Sequence, residues 1–472
     1  MGRILWYNIG SGNHALRLSE SVGQGGGGTL KKWRKSLLLF CALLTLLLLS
    51  ACSPGRDMEE FMALPRLPQE YLELQKVLDA LQSDGASIAA PVSGNYRQSV
   101  QFYDINGDGA EEALAFFRTP GERPLKIYIF IRNGSRYEAA AVVEGDGASI
   151  ESVTYTDMDG DGWTELVVGW GMDAELKMLT VYSLKAFQVS PIANAGYTQY
   201  TVGDLDGDGR SELLLVRLGD GDKSGTAERI GVSRDGETVS ASSRLSAGME
   251  SVSRLTCGAL LDRKFALYVE GSVSGGLVTD VFLFEDDALK NITLGTQEIS
   301  EGTFRSSSVA LRDMNGDGVP EIPIPRALPA QGETVYRILD WYALNSRGVR
   351  RLQLSTYHNF SDSWYLILSE YWGDRITIRR EDTDAGERAV VFSRWNGSDK
   401  PVTDFLVIYT ISGANREELA ARQGRLILYS GAEITYAARL LLTKEEWSLA
   451  PDEAQLRLNF GLIYSEWISG ST

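Results

Sequence analysis

Asp157-Met-Asp159-Gly-Asp161-Gly162-Trp-Thr-Glu165 is the stretch on which the reading of this chain turns. Acids stand at its positions 1, 3 and 5, glycine at 6 and glutamate at 9. Alternate side chains in a tight turn converge on one point, and hard oxygen donors gathered there suit Ca2+ better than a softer transition metal. Gly162 permits the backbone reversal that brings the last carboxylate round. The pattern returns three times, as Asp104, Asn106, Asp108, Gly109 and Glu112, as Asp204, Asp206, Asp208, Gly209 and Glu212, and as Asp313, Asn315, Asp317, Gly318 and Glu321. The acids and asparagines of all four loops are the expected metal ligands, with Ca2+ the expected ion.

The loops are 53, 47 and 109 residues apart, counted from their first aspartates, and the last interval is about two periods. A copy is therefore expected near residue 259. There Gly258-Ala259-Leu260 aligns with Gly203-Asp204-Leu205, and Phe265 to Val269 aligns with the strand after Glu212, so that repeat keeps its apolar frame and lacks its ligands. In the first unit the loop is followed by an apolar run Ala113 to Phe117, a strand Lys126 to Ile131, an Asn133-Gly134 turn, a strand Tyr137 to Val143 and a last strand Ile150 to Tyr155. Units of this length with four short strands read as propeller blades. The expected fold is mainly β, a β-propeller of six or seven four-stranded blades with a small C-terminal α+β module. An EF-hand is excluded because it needs an acid at loop position 12, where this chain has Ala115, Val168, Leu215 and Ile324.

These loops resemble those of the FG-GAP or VCBS repeat family, whose best-known members are the integrin α-subunit propellers, and the resemblance covers roughly residues 99 to 370. It implies Ca2+ held between strands of a blade, with the backbone carbonyls of Ala110, Trp163, Arg210 and Val319 as further ligands. Glu165-Leu-Val-Val-Gly169 follows the family's strand after the loop. The family's Phe-Gly and Gly-Ala-Pro signatures are absent, and Pro323 and Pro325 are expected to interrupt the strand after the fourth loop.

Lys31, Lys32, Arg34 and Lys35 precede an apolar run, Leu37 to Leu49, which ends in Leu49-Ser50-Ala51-Cys52. A basic segment, a short apolar segment and small residues before a cysteine resemble a bacterial lipoprotein signal. It implies lipidation of Cys52 and a place on the outer face of the cytoplasmic membrane. Gly25 to Gly28 ahead of Leu30 reads as a translated ribosome-binding sequence, with the start expected at Leu30. Residues 1–51 carry six basic residues and one acid, so the chain from Cys52 onward has 40 basic against 62 acidic residues, a formal charge of −22. That balance excludes nucleic acid as a partner.

Beyond Cys52 the only cysteine is Cys257 and the only histidine His358, which excludes an internal disulfide and any multi-histidine zinc site. Cys257 is expected in a strand and His358 in an exposed loop. The expected organisation is an upstream extension and signal at 1–51, a tether and helix at 52–98 with the helix over Gln69 to Gln82, calcium-loop repeats at 99–370, and the C-terminal module at 371–472. In that module strands are expected at 375–380, 389–394, 405–411, 425–429 and 434–441, with helices at 416–422 and 451–467. The aromatics Trp341, Tyr342, Trp364, Tyr365, Tyr371 and Trp372 are expected to pack rather than to stack on sugar rings. The expected function is a lipid-anchored, calcium-binding module or scaffold at the cell surface, without catalysis, whose partner is a surface protein or glycan. The alternatives are a calcium-dependent propeller hydrolase resembling the phytases, set aside because no basic cluster stands near the loops in sequence, and a structural envelope protein.

Overall fold

The computed structural model describes residues 69–467 except 221–222, 234–235, 331–332, 385 and 399. Cys52 and the signal-like segment lie outside the described residues. Antiparallel sheets follow one another along the chain. The first holds Ser87–Ile88, Val100–Tyr103, Glu112–Arg118, Leu125–Asn133 and Arg136–Gly145. The second holds Ser149–Thr156, Glu165–Gly171, Lys177–Ser183 and Ser190–Gly196, and the third Gln199–Gly203, Glu212–Arg217, Thr226–Val232 and Thr238–Arg244. The fourth, at the degenerate repeat, holds Ser251–Ala259, Phe265–Val273, Gly276–Glu285 and Ala288–Asn291. The fifth is built from Ile322–Ala327, Arg337–Leu344, Arg350–Asn359 and Trp364–Leu368, and the sixth from Ile376–Asp384, Glu387–Arg394, Thr403–Ser412, Ile434–Leu440 and Leu426–Ser430.

The strands Glu112–Arg118, Glu165–Gly171 and Glu212–Arg217 that follow the first three loops are apolar almost throughout because both their faces are buried. Leu166 and Val168 pack with Leu114 and Ile127 of the first sheet, whereas the intervening Val167 packs with Leu213 and Leu215 of the third. Leu214 and Val216 pack with Leu267 and Val269 of the fourth, and Ala266 and Tyr268 with Ile322 and Leu344 of the fifth. Trp364 and Leu366 then join Ile376, Phe392 and Phe405 of the sixth. Sequential four-stranded sheets stacked face to face are the blades of a β-propeller. Among the described residues, no buried cluster joins the first sheet to the sixth. The outer face of the first is covered by α1 (Gln69–Ser83), whose Leu74 and Leu78 pack on Ala113, Phe117 and Phe130. That of the sixth is covered by α2 (Arg416–Ala420).

Three sequence expectations are corrected. Ile150 to Tyr155 opens the second sheet rather than closing the first, since Thr156 pairs with Glu165 across the loop; each loop is thus the turn between an antiparallel segment and the strand that its glutamate leads into. Pro323 and Pro325 do not stop the strand Ile322–Ala327. Their ring nitrogens lie on the edge from which Glu321 N–H bonds Arg312, so pairing there shrinks to the single bridge Arg312–Glu321. The last helix, α3 (Glu453–Asn459), is shorter than expected. A capping box of Asp452 and Gln455 starts it, and the chain then leaves helix to pair Phe460–Leu462 with Trp364–Leu366 of the fifth sheet.

Leu78→Ala removes an anchor of α1 on the first sheet and is expected to lower the unfolding free energy by about 2–4 kcal/mol. Urea titration followed by tryptophan fluorescence measures it.

Candidate metal centres

All four loops share one hydrogen-bonded frame. The residue before each loop pairs with the glutamate at position 9: Tyr103 with Glu112, Thr156 with Glu165, Gly203 with Glu212 and Arg312 with Glu321. The glutamate turns back across the hairpin mouth and accepts the N–H of loop position 2. The donors are Ile105 (2.8 Å), Met158 (2.8 Å), Leu205 (2.7 Å) and Met314 (2.8 Å). The first aspartate accepts the N–H groups of the glycines at positions 4 and 6, in the second loop Gly160 at 2.7 Å and Gly162 at 3.1 Å. Both glycines have positive φ, +76° and +88°, which a residue with a Cβ adopts only with strain. The position-4 glycine is a second conformational requirement, one that the pattern of acids alone does not single out.

Each loop glutamate gives one oxygen to the backbone, whereas the first aspartate gives both of its oxygens, each with lone-pair capacity left over. In the second loop ligand oxygens of Asp157, Asp159 and Glu165 lie within 4.8 Å of one another, and in the fourth those of Asp313, Asp317 and Glu321 do the same. These acidic clusters have the donor set to hold a hard metal ion. Asp161 turns instead to Lys185, 2.7 Å away across exposed surface. Asn315 Nδ2 donates to Asp317 and Glu321. In the first loop Asp104, Asp108 and Glu112 are not drawn into so close a triad, and Asn106 Nδ2 donates to Asp108 at 3.0 Å. The third loop brings Asp204, Asp206, Asp208 and Glu212 together, yet Arg229 donates to both Asp206 and Glu212, and Arg210 to Asp208. Basic groups therefore do stand at the second and third loops, contrary to the sequence reading, because Lys185 and Arg229 arrive from neighbouring strands and turns.

The electrostatics of the frame favour a cation. Burial pushes the carboxyls of Glu165 and Glu321 up to about 7, against the pull of the backbone N–H that each accepts, and the other loop acids push the same way. Burial raises Glu112 too. A positive ion among these oxygens reverses that cost by favouring the ionised form.

The two residues considered for nucleophilic or acid–base chemistry are placed away from such work. Cys257 is half-buried in a strand, and burial pushes its thiol up to about 11. His358 is not in an exposed loop: it sits in the strand Arg350–Asn359, 7% exposed, among the rings of Trp341, Phe360, Tyr365 and Trp467. Neither ring nitrogen has a hydrogen-bond partner, and burial lowers its pKa to about 3. Trp341, Trp364 and Trp372 are buried as expected, whereas Tyr371 is exposed.

Hairpins of this construction, repeated at one fixed point of the first, second, third and fifth sheets, define a repeat propeller with acidic loops, and residues 104–168 match the FG-GAP-like repeat. This segment of the chain is thus an FG-GAP-like repeat, set in a fold of propeller-type antiparallel sheets. It is similar to the rhamnogalacturonan endolyase YesW of Bacillus subtilis (strain 168), 34% identical over 106 residues; the match spans 17% of this chain and 17% of that relative's length. Among solved structures it is similar to a protein from Lactobacillus plantarum, with 10% identity, 67% of this chain and 85% of the other covered, and a TM-score of 0.30. It is also similar to the exotype rhamnogalacturonan lyase YesX, with 13% identity, 66% of each chain covered and a TM-score of 0.29.

A histidine held neutral in the fold binds fewer protons than in the unfolded chain between its lowered pKa and 6.5. Its contribution is therefore complete above pH 6.5 and is lost as pH falls toward about 3. In His358→Phe that loss is absent, so the stability difference between variant and wild type is expected to move in the variant's favour by up to about 1.4 kcal/mol per pH unit. Urea titrations at pH 7, 6 and 5 measure it.

Proposed function

We propose that this protein is a calcium-binding propeller, anchored through lipid on Cys52 to the outer face of the cytoplasmic membrane, that acts there as a binding or scaffold module. The observation that carries the calcium part is the convergence of buried Glu165 and Glu321 with their loop aspartates, at hairpin mouths where the carboxyls resist ionisation until a cation joins them. Hard oxygen donors in flexible turns select Ca2+ over zinc or copper. Calcium has a structural role in this reading: it locks the turn before the strand that the loop glutamate leads into and so holds the hairpin in register.

The module works by binding rather than by catalysis. His358 is enclosed by aromatic rings and the Cys257 thiol is held protonated, so neither serves as a base or nucleophile. A glycan is favoured over a protein as its ligand class, because the curated relative it matches is named for action on rhamnogalacturonan. The basic groups at the second and third loops do not support the phytase-like alternative, since Lys185, Arg210 and Arg229 are all paired with loop acids.

Calcium in excess over EDTA is expected to raise the unfolding temperature, each site held at about 100 times its dissociation constant adding about 2.7 kcal/mol. Glu165→Gln combined with Glu321→Gln blunts the rise. Calorimetry across a calcium titration reads both, and an unchanged melting temperature at millimolar calcium overturns the reading. Retardation of the protein in gels containing rhamnogalacturonan tests the glycan.

A further inference from the structure

The third loop differs from its siblings in a way that the strand registers make exact to the residue. Two positions past each loop glutamate, the strand that follows the loop faces a fixed position of the next strand. In the first, second and fifth sheets the pairs are Leu114 with Ile129, Val167 with Val181 and Pro323 with Trp341. Ile129, Val181 and Trp341 are fully buried. In the third sheet the pair is Leu214 with Arg229.

The Arg229 side chain is only 7% exposed. Its guanidinium lies 4.0 Å over the Phe284 ring of the fourth sheet. It donates to Asp206, at loop position 3, and at 2.9 Å to Glu212, at position 9. Arg210 closes the other side: its Nε lies 2.9 Å from Asp208, at position 5, and its Nη1 donates to the Val232 carbonyl at 2.8 Å. Two guanidinium groups thus bring to this loop the same +2 charge that a calcium ion brings.

We propose that the third loop is neutralised from within the chain, with Arg229 in place of the metal, and that it binds no calcium. The proposal rests on the calcium reading of the other loops. Lys185 at the second loop makes an instructive contrast. It is 65% exposed and touches only Asp161, so an incoming ion displaces it at little cost. Arg229 has no such exit. To admit calcium it must leave two carboxylates while its own charge stays buried against Phe284, and an uncompensated buried charge is strongly destabilising. The third hairpin, which adjoins the fourth sheet with its shortened loop, keeps its register whatever the calcium concentration.

Counting bound calcium per chain, by equilibrium dialysis with atomic emission, tests this on the wild type and on three variants. Glu165→Gln is expected to lose one ion, Glu212→Gln to lose none, and Arg229→Gln to gain one. Loss of an ion in Glu212→Gln overturns the inference and leaves the calcium reading standing, as does an Arg229→Gln protein that folds and gains none. Absence of bound calcium in the wild type and in every variant overturns the calcium reading and this inference with it. Should Arg229→Gln fail to fold, the comparison of Glu212→Gln with Glu165→Gln remains decisive.

Discussion

Leu213, Leu214, Leu215 and Val216 are all buried, and they alternate between two faces, so this inner strand of the third sheet has no solvent side at all. Each such side chain contributes about 1.5–3 kcal/mol when a neighbouring sheet covers it and nothing when none does. Stacking is therefore a condition for each sheet's existence. It also explains the ends of the stack: the first and sixth sheets meet helices on their outward faces, with Leu74, Leu78 and Ala420 covering apolar surface that would otherwise face water. Position in the stack, more than any single contact, decides what each strand must look like.

Charge enters this apolar stack at the hairpin turns, and away from them as buried, partnered groups such as Glu270 with Arg305. The glutamate at the end of each loop is buried because the strand behind it is, and it is held by a backbone N–H across the turn. The rest of each loop is arranged to deal with that carboxylate. The aspartates tie down the turn, and the remaining negative charge is answered by whatever cation is at hand: an exposed lysine beside the second loop, a buried arginine at the third. The fourth sheet does without the arrangement by shortening the turn between Ala259 and Phe265 and losing the acids.

The repeated loop was legible because four copies fix both a turn and a period, and the runs after Glu112, Glu165 and Glu212 announce strands buried on both faces. The degenerate copy was legible from the doubled interval and from the frame that Gly258-Ala259-Leu260 and Phe265 to Val269 keep. Grouping Ile150–Thr156 with the wrong sheet came from taking order along the chain as order in space; an antiparallel hairpin across the loop pairs that strand with Glu165–Gly171, its successor in the chain. His358 was misread because Ser355, Thr356, Asn359 and Ser361 make the stretch look polar, whereas alternation puts the imidazole on the side facing Trp341 and Trp467. Arg229 gave no signal within its own segment. It stands out only when the strands that pair with those after the loops are aligned, where it takes a place filled elsewhere by Ile129, Val181 and Trp341.

The strand Phe460–Leu462 completes the fifth sheet by covering Trp364–Leu366, and Trp467 then fills a space among Val309, Leu339 and Trp341. During synthesis this sets a schedule. The first four sheets close from hairpins whose partners leave the ribosome within moments of each other, whereas the fifth waits with a bare edge until residues 460–467 have emerged. A chain stopped short of them leaves one edge of Trp364–Leu368 open, its other edge held by Arg350–Asn359, ready to pair with the same strand of another unfinished copy. Truncated and complete molecules thus differ in whether they stay apart.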